Sequence, residues 1–308
     1  MTASELQPSR WLMTARLCAS LNDENQRKRA SERAESYLLG KIEENPFDHF
    51  ARIGLAQVLV DDQRIEEAVA SIAQGLKIAG NDRSPPVMAL RRAASDLLVL
   101  RIDSVPDDAD LSLETKFNWV FKAIELDSNN AKAYGKMLEL YQAVGSADYG
   151  KSMTRMLEKQ IAQGNSIAMA HFALGTSKWL DGQLDDALWH TERALELEPK
   201  LLDVANNFAW LLIEDETPNL DRALALIESA LAKRPNDHRY RDTKGTILMK
   251  LKRWNDALTE FESILPLVRQ GNREPVHQKL AEIYSALGRT ELAELHRAES
   301  LRIAKPEK

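Results

Sequence analysis

Residues 168–199 read Ala168-Met169-Ala-His171-Phe172-Ala-Leu174-Gly175-Thr176-Ser-Lys178-Trp179-Leu-Asp-Gly182-Gln-Leu184-Asp-Asp-Ala187-Leu188-Trp-His190-Thr191-Glu-Arg-Ala194-Leu195-Glu-Leu197-Glu-Pro199, and they decide the fold. Leu184, Leu188, Leu195 and Leu197 recur at helical spacing and form one apolar stripe. Two antiparallel helices approach closely only where side chains are small, so Gly175 in a first helix and Ala187 in a second predict a close crossing. Pro199 ends the second helix, because proline has no amide donor and clashes with the preceding turn. The segment is therefore helix, turn, helix, stop.

The pattern recurs. Ala56, Gly175, Ala209, Gly245 and Ala281 are followed by Ala68, Ala187, Ala223, Ala257 and Ala293. The interval is 12 residues in four units and 14 in the unit whose turn, Glu214–Asn219, is longer by two. Seven residues further stand Gly75, Ala194, Ala230, Ile264 and Ser300, and the stop positions are Gly80, Pro199, Pro235, Arg269 and Lys305. One helix pair cannot bury both of its stripes, whereas stacked pairs can. Composition agrees: 13 Gly and 11 Pro in 308 residues are few for a loop-rich or β-rich chain, and 44% apolar content suffices for a continuous core.

Leu174-Gly175, Gly182, Leu184, Ala187 and Ala194 to Pro199 resemble the ~34-residue tetratricopeptide repeat. The unit departs from that pattern at His171, Lys178 and Thr191, where aromatic residues are common. Val204 to Leu212 with Pro235, then Gly245, Trp254, Ala257 and Phe261, and finally Leu280, Tyr284, Gly288 and Ala293 continue the resemblance. It implies an all-α, right-handed α-solenoid of stacked antiparallel helix pairs. The expected organisation is amino-terminal helices with a partial repeat over 1–48, a repeat over 49–82, and an irregular, over-long pair over 83–130 with a loop at 104–110. A degenerate repeat over 131–167 follows, with Leu138 and Gly150 at its small-contact positions, then four consecutive repeats with a cap over 168–308.

Catalytic motifs are absent from the sequence. No Gly-rich phosphate loop, His-Glu-x-x-His or Gly-x-Ser-x-Gly occurs. His49, His171, His190, His238, His277 and His296 are scattered, none with another histidine or cysteine three or four residues away, so no metal or cofactor is expected. Asp185-Asp186, Glu66-Glu67 and Asp107-Asp108 stand at second-helix starts or in the loop, where carboxylates suit the positive end of the helix dipole. Cys18, the one cysteine, reads as a buried structural thiol.

What remains is binding. In the resembled family the first helices line a concave groove that holds an extended peptide or partner helix. Carrying those positions across gives Met169, Phe172, Thr176 and Trp179; Asp203, Asn206 and Trp210; Arg239, Asp242, Thr246 and Met249; Gln278, Glu282 and Ser285. Ile53, Gln57, Val60, Lys132, Glu139 and Gln142 are the equivalents nearer the amino terminus. Trp179 and Trp210 either anchor a partner on this face or pack between adjacent pairs. The Lys, Asn, Asn, Lys, Arg clamp for chaperone tails is matched only at Asn207 and Arg239, so the resemblance does not extend to that ligand.

The function expected is thus a non-catalytic scaffold or adaptor for a protein partner. The alternative is a nucleic-acid or anionic-polymer binder through Arg27-Lys28-Arg29 and Arg33, against which stand the formal charge of −6 and the absence of interleaved aromatics. No signal peptide or membrane-spanning run is read, which predicts a cytoplasmic chain. Trp11-Leu-Met13 and Leu17 suggest a homodimer contact through the amino-terminal helices.

Overall fold

The computed structural model describes residues 23–105, 111–144 and 147–304. Cys18, the Trp11–Leu17 contact, residues 106–110 of the loop with Asp107-Asp108, and Lys305 lie outside them. Two compact units divide the chain, the first ending at Ser166 and the second beginning at Ile167.

The first unit contains α1 (Glu24–Glu44), α2 (His49–Asp61), α3 (Ile65–Ala79), α4 (Pro85–Asp103), α5 (Leu113–Leu126), α6 (Ala131–Val144) and α7 (Ala147–Ala162). The second contains α8 (Ile167–Leu180), α9 (Leu184–Leu197), α10 (Leu202–Glu214), α11 (Leu220–Lys233), α12 (His238–Lys250), α13 (Trp254–Ile264), α14 (Glu274–Ala286) and α15 (Thr290–Ala304). No strand occurs among the described residues. The starts are chemically marked: the carboxylates of Asp23 and Asp48 accept from the amides of Gln26 and Ala51, and the Asn219 side chain accepts from the Arg222 amide. Pro85 and Pro86 open α4, where missing amide hydrogens cost nothing.

Within each unit consecutive helices pack as pairs, and the small residues read from the sequence lie at the crossings. Ala68, Ala187, Ala223, Ala257 and Ala293 are completely buried. A Cβ on Gly175 would meet the Thr191 hydroxyl and lie 3.1 Å from the Ala187 carbonyl oxygen. Gly245 lies against the edge of Phe261, and Gly75 against the stem of Arg52 and Leu90. In the degenerate repeat the contact differs from the expectation. It is the Tyr141 phenol, not Leu138, that lies against Gly150, because the ring fills the space that a small-on-small crossing would close.

Four pair turns close identically. The residue seven after the small position of the first helix is left-handed: Gln63 (φ 61°), Gly182 (φ 74°), Lys252 (φ 58°) and Gly288 (φ 73°). The next amide reaches back to the carbonyl five residues earlier, as from Arg253 to Leu248 at 2.9 Å and from Gln183 to Lys178 at 2.8 Å. Glycine suits that backbone and lysine does not. Lys252→Gly is therefore expected to stabilise the chain by about 0.5–1 kcal/mol, the relief of left-handed strain outweighing the entropy of a freer unfolded chain. A lower urea midpoint for the variant would refute this.

Candidate functional site

A concavity of about 480 Å3 opens in the second unit. Its wall is drawn from four successive first helices, which the repeat sets side by side. Thr176 and Trp179 come from α8; Asn206, Asn207 and Trp210 from α10; His238, Arg239, Asp242 and Thr243 from α12; Pro275, Val276 and Lys279 from α14. Val268 and Asn272, from the connection between α13 and α14, complete one side. Trp179 is 42% exposed, whereas Trp210 is half-buried and packs against the core around Phe208 and Tyr240. Of the two alternatives, packing between helix pairs describes Trp210, while Trp179 is exposed, and both border the cavity.

Ion pairs between neighbouring first helices hold the polar side. Arg239 Nη2 donates to Asp203 Oδ1 at 2.9 Å, and the Tyr240 hydroxyl donates to the same oxygen at 3.0 Å. Burial, reinforced by that bond, pushes the Tyr240 phenol up to about 12. Lys279 Nζ donates to both oxygens of Asp242, at 3.0 and 2.9 Å, and lies 5.9 Å from the Trp210 ring centre. Asn206 Nδ2 donates to Asn207 Oδ1 at 3.3 Å, while Asn206 Oδ1 is buried without a hydrogen-bond partner.

The carried-over positions separate accordingly. Thr176, Trp179, Asn206, Trp210, Arg239 and Asp242 line the cavity. Asp203 and Thr246 stand behind it, bonded to Arg239 and Lys279. Met169 and Phe172 are half-buried on α8 away from its wall, and Gln278 and Glu282 are exposed on α14 outside it. Met249 is a correction: it is buried with Leu248, Leu258 and Phe261, six residues beyond Thr243, the last residue of α12 that lines the cavity. Asn207, His238 and Lys279 are wall residues absent from the carried-over set.

The histidines hold a second surprise. His171 Nδ1 lies 2.9 Å from His190 Nδ1, and His277 Nδ1 lies 2.8 Å from His296 Nδ1. In both, the partners are 19 residues apart, across one helix pair. The same register joins Arg52 to the Ser71 carbonyl at 2.8 Å and Arg241 to Glu260 at 2.7 Å. Burial lowers the affinity of all four imidazoles for protons, and His190, next to His171, falls to about 4. No group of three metal-ligating side chains occurs among the described residues.

The basic run on α1 is partly spent internally. Arg27 is held by Glu24 and Asp62, each at 2.6 Å. The paired carboxylates are likewise placed: Glu66 binds Arg101, Glu67 binds Arg64, and Asp185 and Asp186 lie in the first turn of α9, without a side-chain cap hydrogen bond.

Five of the helix pairs carry small residues at the crossing, and four of these have a left-handed residue seven places on. These are tetratricopeptide-type helix pairs. No family model matches the chain, and no curated protein matches it. Among solved structures, MamA of AMB-1 is 22% identical over 56% of this chain and 96% of its own, with a TM-score of 0.46. MamA from Desulfovibrio magneticus RS-1 is 15% identical over 57% of this chain and 96% of its own, TM-score 0.47. A tetratricopeptide repeat protein from Parabacteroides merdae is 13% identical over 94% of this chain and 99% of its own, TM-score 0.48. No helix among the described residues is long and apolar enough to cross a membrane.

Proposed function

We propose that the chain is a non-catalytic protein-interaction scaffold whose second unit takes an extended peptide segment in the Trp179–Trp210 concavity. The observation that carries this reading is the composition of the wall. An exposed indole and a half-buried one flank an unpartnered amide oxygen, with ion-paired Arg239, Asp242 and Lys279 at the rim. Aromatic anchors surrounded by polar groups are the usual form of a hot spot, and the Asn206 oxygen matches a peptide N–H. Burying that donor–acceptor pair on binding removes an unsatisfied acceptor from the free protein.

Selection from a displayed random-peptide library tests it. Enriched peptides are expected to bind Trp179→Ala about tenfold or more weakly, with the helical circular dichroism unchanged, because Trp179 is exposed. Trp210→Ala is expected to lose binding and also some stability. Peptides that bind wild type and Trp179→Ala equally would remove the concavity from consideration.

A further inference from the structure

A different concavity, of about 320 Å3, lies wholly within the first unit, at the ends of α4, α5 and α7. Five cationic side chains line it, Arg83, Arg91, Arg92, Lys122 and Lys159, against two carboxylates, Glu125 and Asp127. The chain as a whole has a formal charge of −6, so this gathering of positive charge runs against its average. The repeat produces it: Arg91, Glu125 and Lys159 follow one another at 34-residue intervals and meet side by side.

Internal pairing leaves part of this charge unspent. Glu125 accepts from Lys159 at 3.2 Å and from Lys122 at 3.5 Å, and Asp127 Oδ1 accepts from the Asn129 amide at 3.1 Å. Arg83 and Arg92 are exposed and form no ion pair among the described residues. An independent polar group points to a ligand as well. Gln160, 2% exposed, lines the same concavity, and its Oε1 has no hydrogen-bond partner. Buried amides are ordinarily satisfied, and turning this one about its last bond exchanges acceptor for donor at little steric cost.

We propose that this concavity binds a compact phosphate-bearing anion. Guanidinium forks match the oxygens of a phosphate, and several of them around one small space suit a charge of two or more rather than a single carboxylate. The Gln160 amide supplies a neutral donor to one of the oxygens. The wall contains no aromatic side chain, so it has no platform on which a base would stack, and the phosphate itself is what is recognised.

Calorimetric titration of the full chain at low salt, with inorganic pyrophosphate and separately with fructose 1,6-bisphosphate, tests this. Pyrophosphate is expected to bind with one-to-one stoichiometry and to weaken as salt is raised. The Arg83→Ala/Arg92→Ala variant, altered only at exposed unpaired positions, is expected to bind about tenfold or more weakly, the loss of two charge-assisted contacts. Arg29→Ala/Arg33→Ala on α1, carrying the same charge change elsewhere, is expected to bind as wild type does. Gln160→Met, which keeps the length and removes the amide, is expected to weaken binding severalfold. Tighter binding of the bisphosphate would assign an organic phosphate ester, and tighter pyrophosphate an inorganic one. Absence of binding at millimolar pyrophosphate and bisphosphate, or equal weakening in both arginine variants, would overturn the proposal.

Discussion

Gly175→Ala is expected to destabilise the protein by about 1–3 kcal/mol, while Gly135→Ala stabilises it by about 0.5–1 kcal/mol. Both glycines lie inside first helices, α6 and α8, where alanine is intrinsically the better residue. Their surroundings reverse the sign. Nothing lies within 4 Å of a Cβ built on Gly135, so only the propensity gain remains. At Gly175 the methyl meets the Thr191 hydroxyl, and the Ala187 carbonyl and Thr191 amide stand 3.1 Å away, which is backbone that moves only if α9 moves. Interiors packed like crystals transmit such a displacement to neighbouring helices. Thr191→Ala removes the nearest atom but not the backbone ones, so the double variant is expected to recover part of the loss, with a coupling of about 0.5–1 kcal/mol. Urea denaturation of the four proteins measures this. A Gly175→Ala midpoint at or above wild type would disprove the crossing as the cause.

How much of this was legible depends on where each signal sits along the chain. Crossings declared themselves because glycine and alanine recur at a constant interval, and an apolar stripe needs only local periodicity. The left-handed turns were legible at Gly182 and Gly288, where the residue type announces the backbone. At Gln63 and Lys252 they were hidden, since the closing amide-to-carbonyl bonds hold those residues in a conformation their side chains do not advertise. The cavity was half legible. Trp179, Trp210 and Arg239 followed from first-helix positions carried across in steps of 34 and then 36 residues, but the pair Asp242 and Lys279 spans 37. A step of 36 from Asp242 lands on Gln278, one residue short of the lysine that lines the cavity. The basic concavity of the first unit was illegible for the opposite reason. Its cations come from three separate helices and from Arg83 in the segment before α4, whereas a scan for contiguous charge finds Arg27 to Arg33.

The histidine pairs were missed because a search at three or four residues sees one helix, and these partners meet across two. Their consequence is a stability that falls with acid. In the unfolded chain an imidazole takes up its proton near pH 6.5; in the fold, burial lowers all four, His190 to about 4. Between those limits the unfolded state binds more protons, so lowering the pH favours unfolding. The contribution is whole above pH 6.5, declines below it, and levels off beneath the folded value. One proton more leaves a neutral imidazole accepting from a charged one in a poorly solvated place, and a second sets two N–H groups against each other. Around the first pair Arg193 and Lys178 reinforce the depression and Asp186 opposes it. Around the second, Glu262 and Glu299 oppose it while Arg273 and Arg302 reinforce it, so the second pair is expected to contribute less. Setting half of the His190 shift aside for solvent screening leaves about 2 kcal/mol. His171→Leu/His190→Leu is therefore expected to lose about 2 kcal/mol less than wild type between pH 7 and pH 4, the carboxylates common to both cancelling in the comparison. Stability curves that run parallel through that window, or ring-proton titrations placing His171 and His190 near 6.5, would show that the pair is solvated and carries no such linkage.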